Sequence, residues 1–198
     1  MDSIYSHIQR HASTHRIGHI EGVLETADQL AIRFGADREK TKLAALSHDL
    51  YRGMRPEALN VYVNQLGLSK KYLDNANLAH AKVAAEMLKR DFGINDEDVL
   101  NAVRYHTTGR AGMSLLEKII FLADSIEPGR NYPGVEAIRE TAKTDLDRAC
   151  LMCLERTIDY INDKGYYLDP DTLDAREWFL KKEKIIVNMK FKISHQTD

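Results

Sequence analysis

Residues 106–130 read HTTGRAGMSLLEKIIFLADSIEPGR, and this stretch decides the fold class. Ser114, followed three residues later by Glu117, resembles a capping box, which marks the start of a helix. The apolar residues after it recur with helical spacing as far as Asp124, and a Pro-Gly pair then stops the helix. The stretch therefore predicts a turn that separates a helix ending near His106 from a second helix that carries Asp124.

Helical signals continue on both sides of this stretch. An apolar stripe over residues 17–31 ends at Gly35, and Asp37 is the predicted cap of the next helix. No alternating strand pattern is found, so the sequence predicts an all-α fold with 198 residues in a single domain. Further helices are predicted from Pro56 to Gly67, over 78–93, from an Asn95–Asp98 capping box to His106, over 145–163 and from Asp171. Residues 131–134 read as a loop, and the tail beyond Met189 is predicted to be weakly anchored.

Composition and charge argue against several classes of function. Lys and Arg number 28 against 30 Asp and Glu, so the net charge of −2 predicts no general attraction to nucleic acid. The N-terminal segment lacks the apolar stretch of a secretory signal, and the apolar run 119–123 is far too short to span a bilayer. Two cysteines fit a reducing compartment better than a disulfide framework. We therefore expect a cytoplasmic protein that binds neither nucleic acid nor membrane.

Six residues of metal-binding type lie on, or at the ends of, the predicted helices. A carboxylate one turn after an apolar residue, as in the Asp124 helix, is costly to bury unless it is paired or metal-bound. Imidazole and carboxylate together suit iron, manganese, zinc or cobalt better than magnesium alone. Such an ion lowers the pKa of a bound water and neutralises phosphate charge. A single histidine is more often a surface residue, but the ordered set favours a metal site. The six are His19, His48, Asp49, His80, His106 and Asp124.

The order His…His-Asp…His…His…Asp is similar to that of the HD-domain phosphohydrolases. Residues 106–130 more narrowly resemble the bacterial YqeK-type members, and the resemblance extends through 133–139 and covers roughly residues 15–180. A His-Asp dipeptide alone is a weak motif, whereas the 106–130 run is highly specific. The resemblance implies an HD-domain helical bundle and a symmetrical bis(5'-nucleosyl)-tetraphosphatase, which splits diadenosine tetraphosphate into two ADP.

The resemblance also implies roles for individual residues. An iron ion is expected on His19, His48, Asp49 and Asp124, with manganese, cobalt or zinc as alternatives. His80 and His106 are expected to face the substrate phosphates or a second metal, and with Asp49 they form the predicted catalytic set. Residues 15–127 are the expected metal-binding core, and residues 128–190 the helices that complete the nucleotide pocket. The predicted substrate-binding residues are His19, Arg52, His80, His106, Thr107, Gly109, Arg110, Lys118, Asp124, Arg130, Pro170, Thr172 and Ala175.

Some of these roles also follow from chemistry. An arginine such as Arg130, on a loop, offers a planar fork to phosphate oxygens, and Gly109 allows the backbone a close approach. Lys118 is as well explained by a solvated helix face. Two positions depart from the family pattern: Ala81 stands where glycine is usual, and Ser125 where a bulkier aromatic residue is common. Neither is a ligand position, so both bear on substrate preference.

Two further motifs are weaker indications of a functional site. His7, His11 and His15 continue the spacing of four residues back from His19, but their segment has a weak apolar stripe, so we interpret them as surface residues. Cys150 and Cys153 form a C-x-x-C in mid-helix without a second pair, which favours two buried apolar side chains over zinc or redox chemistry.

Several alternatives stay open at this point. Tyr166, Tyr167, Trp178 and Phe179 more often close a core between the last two helices than stack on a base. The function could also be that of another HD nucleotide phosphohydrolase, acting on mononucleotides or a signalling nucleotide, or of a nucleotide-binding sensor without turnover. Helices that carry leucine and tyrosine could supply the face of a homodimer.

Overall fold

The protein is built from helices that are joined by short loops. The computed structural model describes residues 2–194, with side chains from 3 to 185. Within this range there are ten α-helices, a 3-10 turn at Lys70–Tyr72 and no strands, which confirms the predicted all-α class. The helices are α1 (Asp2–His11), α2 (Thr14–Phe34), α3 (Arg38–Ser47), α4 (Pro56–Gln65), α5 (Ala76–Phe92), α6 (Glu97–Tyr105), α7 (Leu115–Ile126), α8 (Val135–Ala142), α9 (Leu146–Lys164) and α10 (Pro170–Ser194).

Helix ends follow local side-chain chemistry. Gly35 ends α2 in the left-handed conformation, with φ of 71°, which glycine adopts without strain. The Asp37 carboxylate accepts hydrogen bonds from two backbone N–H groups at the start of α3. The Ser114 hydroxyl and the Glu117 carboxylate cap the N-terminus of α7 reciprocally, so the predicted capping box is confirmed.

Two sequence-based interpretations were wrong or incomplete. Asp96, not Asn95, caps α6, because its carboxylate accepts from the backbone N–H groups of Asp98 and Val99, while the Asn95 amide donates to a carbonyl instead. Helix α8 was missed, since it begins at Val135, directly after the predicted loop, and spans only eight residues.

Helix α7 forms the centre of the molecule. Its residues Ile119, Ile120, Leu122 and Ala123 are completely buried, and the helix packs against α2, α3, α6 and α9. A helix that is apolar on nearly every face must lie inside the protein. Because α7 also carries Asp124, the helix that organises the core places a carboxylate among its neighbours.

The C-terminal helices are packed by small and aromatic side chains. Cys150 and Cys153 are buried free thiols on α9, as predicted. The sequence favoured a core of aromatic residues between the last two helices. Phe179 on α10 is buried, which fits that prediction. Tyr166 and Tyr167 are exposed, so the prediction was wrong for them. The prediction for the tail beyond Met189 lies outside the described side chains.

At the other end of the chain, His7 is partly buried rather than a surface residue. Its ring packs between those of Tyr51 and Phe92. His11 and His15 are exposed, as expected. Among residues 2–194, no helix combines the length and apolar character that crossing a membrane requires.

The capping box predicts a measurable loss of stability. Ser114→Ala removes the acceptor for the Glu117 N–H and a hydrogen bond to Asp98, so we expect the free energy of unfolding to fall by about 1 kcal/mol in chemical denaturation. Ser69→Ala is the control, because the Ser69 hydroxyl accepts only one long bond of 3.5 Å at an exposed 3-10 turn. Equal losses in the two variants would contradict the role assigned to Ser114.

Candidate metal centre

The fold brings the six predicted metal-type residues into one buried cluster. They come from five places in the chain: α2, the residues after α3, α5, the end of α6, and α7. His48 and His106 occupy the C-terminal cap positions of α3 and α6, so the two rings project from helix ends toward the rest of the cluster. The four histidines are each less than a tenth exposed.

The Asp49 carboxylate lies between two pairs of histidines. Its Oδ2 is 3.6 Å from Nε2 of His19 and 3.8 Å from Nε2 of His48. Its Oδ1 is 3.2 Å from Nε2 of His80 and 3.7 Å from Nε2 of His106. Each oxygen of one buried carboxylate therefore faces a different imidazole pair.

Hydrogen bonds on the far side of three rings fix their tautomers. When Nδ1–H donates to a carbonyl, the Nε2 of a neutral imidazole carries a lone pair. All three lone pairs therefore face Asp49. His48 donates to the carbonyl of Ala45 at 2.7 Å, His80 to that of Ala76 at 3.0 Å and His106 to that of Val103 at 2.8 Å.

The fourth ring, His19, is oriented by a carboxylate that sequence reasoning did not assign to the site. Its Nδ1 lies 3.1 Å from Oε1 of the buried Glu127. The Glu127 carboxylate also accepts from the backbone N–H of Gly129. A Cβ at Gly22 would lie 2.7 Å from Oε2 of Glu127. Glycine at position 22 therefore leaves the space that this orienting carboxylate occupies.

The donor set fits a metal ion. The Nε2 atoms of His19 and His48 are 3.3 Å apart, and those of His80 and His106 are 3.2 Å apart. Lone pairs directed at each other over such distances repel unless a proton or a cation lies between them. His19 and His48 with Asp124 form one group that could hold an ion, and Asp49 joins His48 and His106 in another. Nitrogen and carboxylate donors together suit a first-row transition-metal ion or zinc.

Burial keeps two of the rings neutral. Desolvation lowers the pKa of His48 to about 4 and also lowers the pKa of His80 below its ordinary value. Burial lowers the pKa of His19 too, but hydrogen bonds to Asp124 and Glu127 outweigh it and raise that pKa overall. Neutral imidazole is the form that binds metals, so His48 and His80 need lose no proton near pH 7.

Two arginines pair with the ligand carboxylates. Arg130 donates to Oδ1 of Asp124 at 2.5 Å and to its backbone carbonyl at 2.7 Å. Arg16, which sequence reasoning missed, donates to Oδ2 of Asp49 at 2.5 Å. Its position three residues before His19 places both side chains on one face of α2, and that spacing was the available signal. Arg52 lies nearby and donates to Asn77 at 2.8 Å.

Two cavities meet at the cluster. The larger, of about 790 Å³, is lined by His19, Asp49 and Arg16 together with the exposed His15. The smaller, of about 410 Å³, is bordered by α9 side chains and by Tyr132. Thr107 lines both cavities, and its hydroxyl oxygen is buried without a hydrogen-bond partner among the described residues. The residues common to the two cavities are His106, Thr107, Asp124 and Arg130.

Six predicted substrate-binding residues are not brought to these cavities. Arg110 pairs with Glu117 at 2.7 Å and Lys118 pairs with Asp147 at 2.7 Å, and neither side chain lines either cavity. Gly109, with φ of 63°, allows close packing, since a Cβ there would lie 3.4 Å from that of Ala175. Of the described residues, those predicted to bind substrate but absent from either cavity wall are Gly109, Arg110, Lys118, Pro170, Thr172 and Ala175.

The two positions that depart from the family pattern have different surroundings. Ala81 is completely buried on α5 next to His80. Ser125 lies at the smaller cavity, where its hydroxyl donates to the carbonyl of Phe121 at 3.0 Å. A small side chain at position 125 leaves room in that cavity, so this departure bears more directly on what the site accepts.

Known proteins share this sequence and fold. The HD domain family matches residues 16–129. The chain is 41% identical to the symmetrical bis(5'-nucleosyl)-tetraphosphatase of Bacillus subtilis (strain 168), over 87% of this chain and 94% of that protein. It is 43% identical to the protein of the same name from Halalkalibacterium halodurans, over 89% and 95%. A crystal structure of a predicted HD superfamily hydrolase involved in NAD metabolism from Clostridium acetobutylicum superimposes with a TM-score of 0.87 at 39% identity, covering 91% of this chain and 97% of that one.

The packing of Glu127 predicts different outcomes for two glycines of α2. Gly22→Ala places a Cβ against the Glu127 carboxylate, so we expect His19 to lose its orientation and metal affinity to fall about 10-fold or more. Gly18→Ala meets no atom within 4 Å and should leave metal affinity unchanged while stabilising the helix by about 0.5–1 kcal/mol. Titration with Mn²⁺ and chemical denaturation measure both. Equal metal affinity in the two variants would refute the role of Glu127.

Proposed function

Because the chain belongs to the HD domain family, we propose that it is a metal-dependent phosphohydrolase that splits diadenosine tetraphosphate symmetrically into two ADP. The observation that carries the proposal is the convergence of four imidazole nitrogens on the two oxygens of Asp49, where two cavities meet. Relatives that are 41% and 43% identical over nearly their whole length bear the name of that activity.

The proposed metal is iron, held by His19, His48, Asp49 and Asp124. Manganese, cobalt and zinc suit the same nitrogen and oxygen donors. The proposed place for a second ion is beside His80 and His106, at Oδ1 of Asp49. When bound, such ions lower the pKa of a coordinated water and neutralise charge on phosphate oxygens.

The protein's own groups orient and neutralise the substrate. Arg130 and Arg52 lie at the larger cavity with guanidinium groups that match phosphate oxygens. Thr107 offers a hydroxyl without a partner among the described residues. Asp49 can accept a hydrogen bond from the attacking water and so aim it at phosphorus. Enzymes that transfer phosphate stabilise the charge on the phosphate mainly by positioning groups around it and by electrostatic attraction. These groups therefore account for most of the protein's contribution to the reaction.

The tautomers of His80 and His106 limit the chemistry that these two rings can perform. Its Nδ1–H is engaged by Ala76 and burial lowers its pKa, so the ring faces Asp49 with a lone pair on Nε2. His106 has the same arrangement through Val103. Both rings therefore act through Nε2 as metal ligands or hydrogen-bond acceptors, rather than as proton donors to the leaving phosphate.

The pair of cavities suits a substrate with two nucleoside halves. They share four lining residues, His106, Thr107, Asp124 and Arg130, and the proposal places the polyphosphate chain along these residues with one nucleoside half in each cavity. One water is added across the central anhydride: its oxygen bonds to one phosphorus, and the other phosphate leaves. The products are two molecules of ADP, which is symmetrical cleavage.

Hydrolysis of diadenosine tetraphosphate by the iron-loaded protein tests the function directly. We expect ADP as the sole product when the reaction is resolved by ion-exchange chromatography. Formation of AMP together with ATP would be consistent with the metal centre but would show that cleavage is asymmetrical. Tight nucleotide binding without product would favour a sensor, and turnover of mononucleotides or signalling nucleotides instead would assign another HD hydrolase activity.

Replacement of the central carboxylate tests the site. Asp49→Asn removes the charge between the histidine pairs, so both metal content and turnover should fall, turnover by about 10²-fold or more. Asp28→Asn is the control, because Asp28 pairs with Arg38 on the surface. Metal analysis and steady-state rates measure the effects, and full activity in an Asp49→Asn protein that lacks metal would rule out the mechanism.

A further inference from the structure

Arg16 is a charged residue of the larger cavity to which neither the sequence patterns nor the proposed chemistry gives a role. It lies in the first turn of α2, where its backbone N–H donates to the Ser13 hydroxyl at 3.3 Å. Its side chain is 28% exposed, so the guanidinium is partly desolvated but reaches the cavity. The helix therefore anchors Arg16 one turn before His19.

The guanidinium of Arg16 has one acceptor among the described residues. Its Nη1 donates to Oδ2 of Asp49 at 2.5 Å. A guanidinium has five N–H donors in a planar fork, so most of its capacity is left for a ligand. Since Arg16 lines the cavity, those donors are available to an anion that enters there.

Arg16 and a metal ion would compete for the same oxygen. Oδ2 is the Asp49 oxygen that faces Nε2 of His19 at 3.6 Å and Nε2 of His48 at 3.8 Å. A cation bound by these ligands draws on the electron pairs of Oδ2 and repels the guanidinium. Metal binding therefore weakens the Arg16–Asp49 pair and favours an anionic partner for Arg16.

Arg130 provides the comparison on the other side of the cluster. It pairs with Asp124 as Arg16 pairs with Asp49. Arg130 lies at both of these cavities, whereas Arg16 lies at the larger one and at a third cavity of about 240 Å³. Arginine forks bind phosphate oxygens in pairs, and a polyphosphate chain needs several such partners.

We propose that Arg16 binds the polyphosphate of the substrate in the larger cavity, and that Asp49 holds it until a cation at the histidine cluster displaces it. This inference rests on the proposed function, since it assumes a polyphosphate substrate. Arg16 thereby links two events: the metal ion releases a phosphate-binding group, and in the absence of metal that group shields Asp49. Replacing Arg16 should therefore strengthen the binding of the metal ion and weaken the binding of polyphosphate.

The experiment uses the full chain and three variants: Arg16→Gln, Arg16→Lys and the control Arg38→Gln. Mn²⁺ affinity is measured by the paramagnetic resonance signal of the free ion. Affinity for inorganic tripolyphosphate is measured by calorimetry on iron-loaded, desalted protein at fixed ionic strength, and iron content is determined again afterwards. Arg38 is the matched control because it also pairs with an aspartate, Asp28, but on the surface.

We expect Arg16→Gln to bind Mn²⁺ about 5- to 10-fold more tightly, because a competing positive charge is gone, and tripolyphosphate about 10-fold more weakly. Arg16→Lys keeps the charge without the fork, so its affinities should lie between those of Arg16→Gln and the unmodified chain. Arg38→Gln should change neither.

Two results would overturn the inference. Weaker binding of both ligands by Arg16→Gln would make Arg16 a positioning residue for Asp49, and unchanged tripolyphosphate affinity would remove it from the phosphate site. Neither measurement depends on turnover. Failure of the unmodified chain to hydrolyse diadenosine tetraphosphate would count against the proposed function, whereas a failed affinity test would count against the role of Arg16 alone.

Discussion

The buried Asp49 carboxylate is the constraint on which the site depends. A carboxylate that is only 6% exposed is costly to bury unless it is paired; here the Arg16 guanidinium pairs with Oδ2, and the imidazole nitrogens that face both oxygens would leave a cation as the remaining partner. These side chains come from α2, α5 and the ends of α3 and α6, so these elements must converge on one point. The apolar α7 makes the convergence stable, because it buries nearly every face against the helices that carry the ligands.

Around that carboxylate, hydrogen bonds to backbone carbonyls and to Glu127 orient the four histidine rings. Three histidines use carbonyls of their own helices, within three or four residues, so the helix that carries each ring also sets its tautomer. His19 instead depends on Glu127, a residue 108 positions away, and on the absence of a side chain at Gly22. The site therefore combines local orientation, which one helix provides, with a long-range contact that exists only in the folded chain.

This difference explains how much the sequence could predict. Helix caps and the all-α class follow from local chemistry, and a specific motif gives the order of the metal-type residues, so the caps Ser114 and Asp37 were predicted correctly and the six metal-type residues do lie together. Glu127 and Arg16 were missed because their partners lie far away in sequence. Arg110 and Lys118 looked available for phosphate, yet the fold gives them Glu117 and Asp147 as partners. The sequence shows which groups a side chain offers, and the fold decides whether those groups reach the cavities at the cluster.

The charge of the cluster bears on whether the metal ion or the substrate binds first. With the histidines counted as neutral, the carboxylates of Asp49, Asp124 and Glu127 and the two guanidinium groups paired with them carry a formal charge of −1 together, which the nearby Arg52 offsets. The chain as a whole is acidic, at −2, so no surplus of positive charge draws a polyanion to the site. One divalent cation makes the local charge positive and loosens the hold of both carboxylates on their arginines. The same ion that supplies the chemistry therefore makes the cavity attractive to polyphosphate, and metal binding should precede substrate binding.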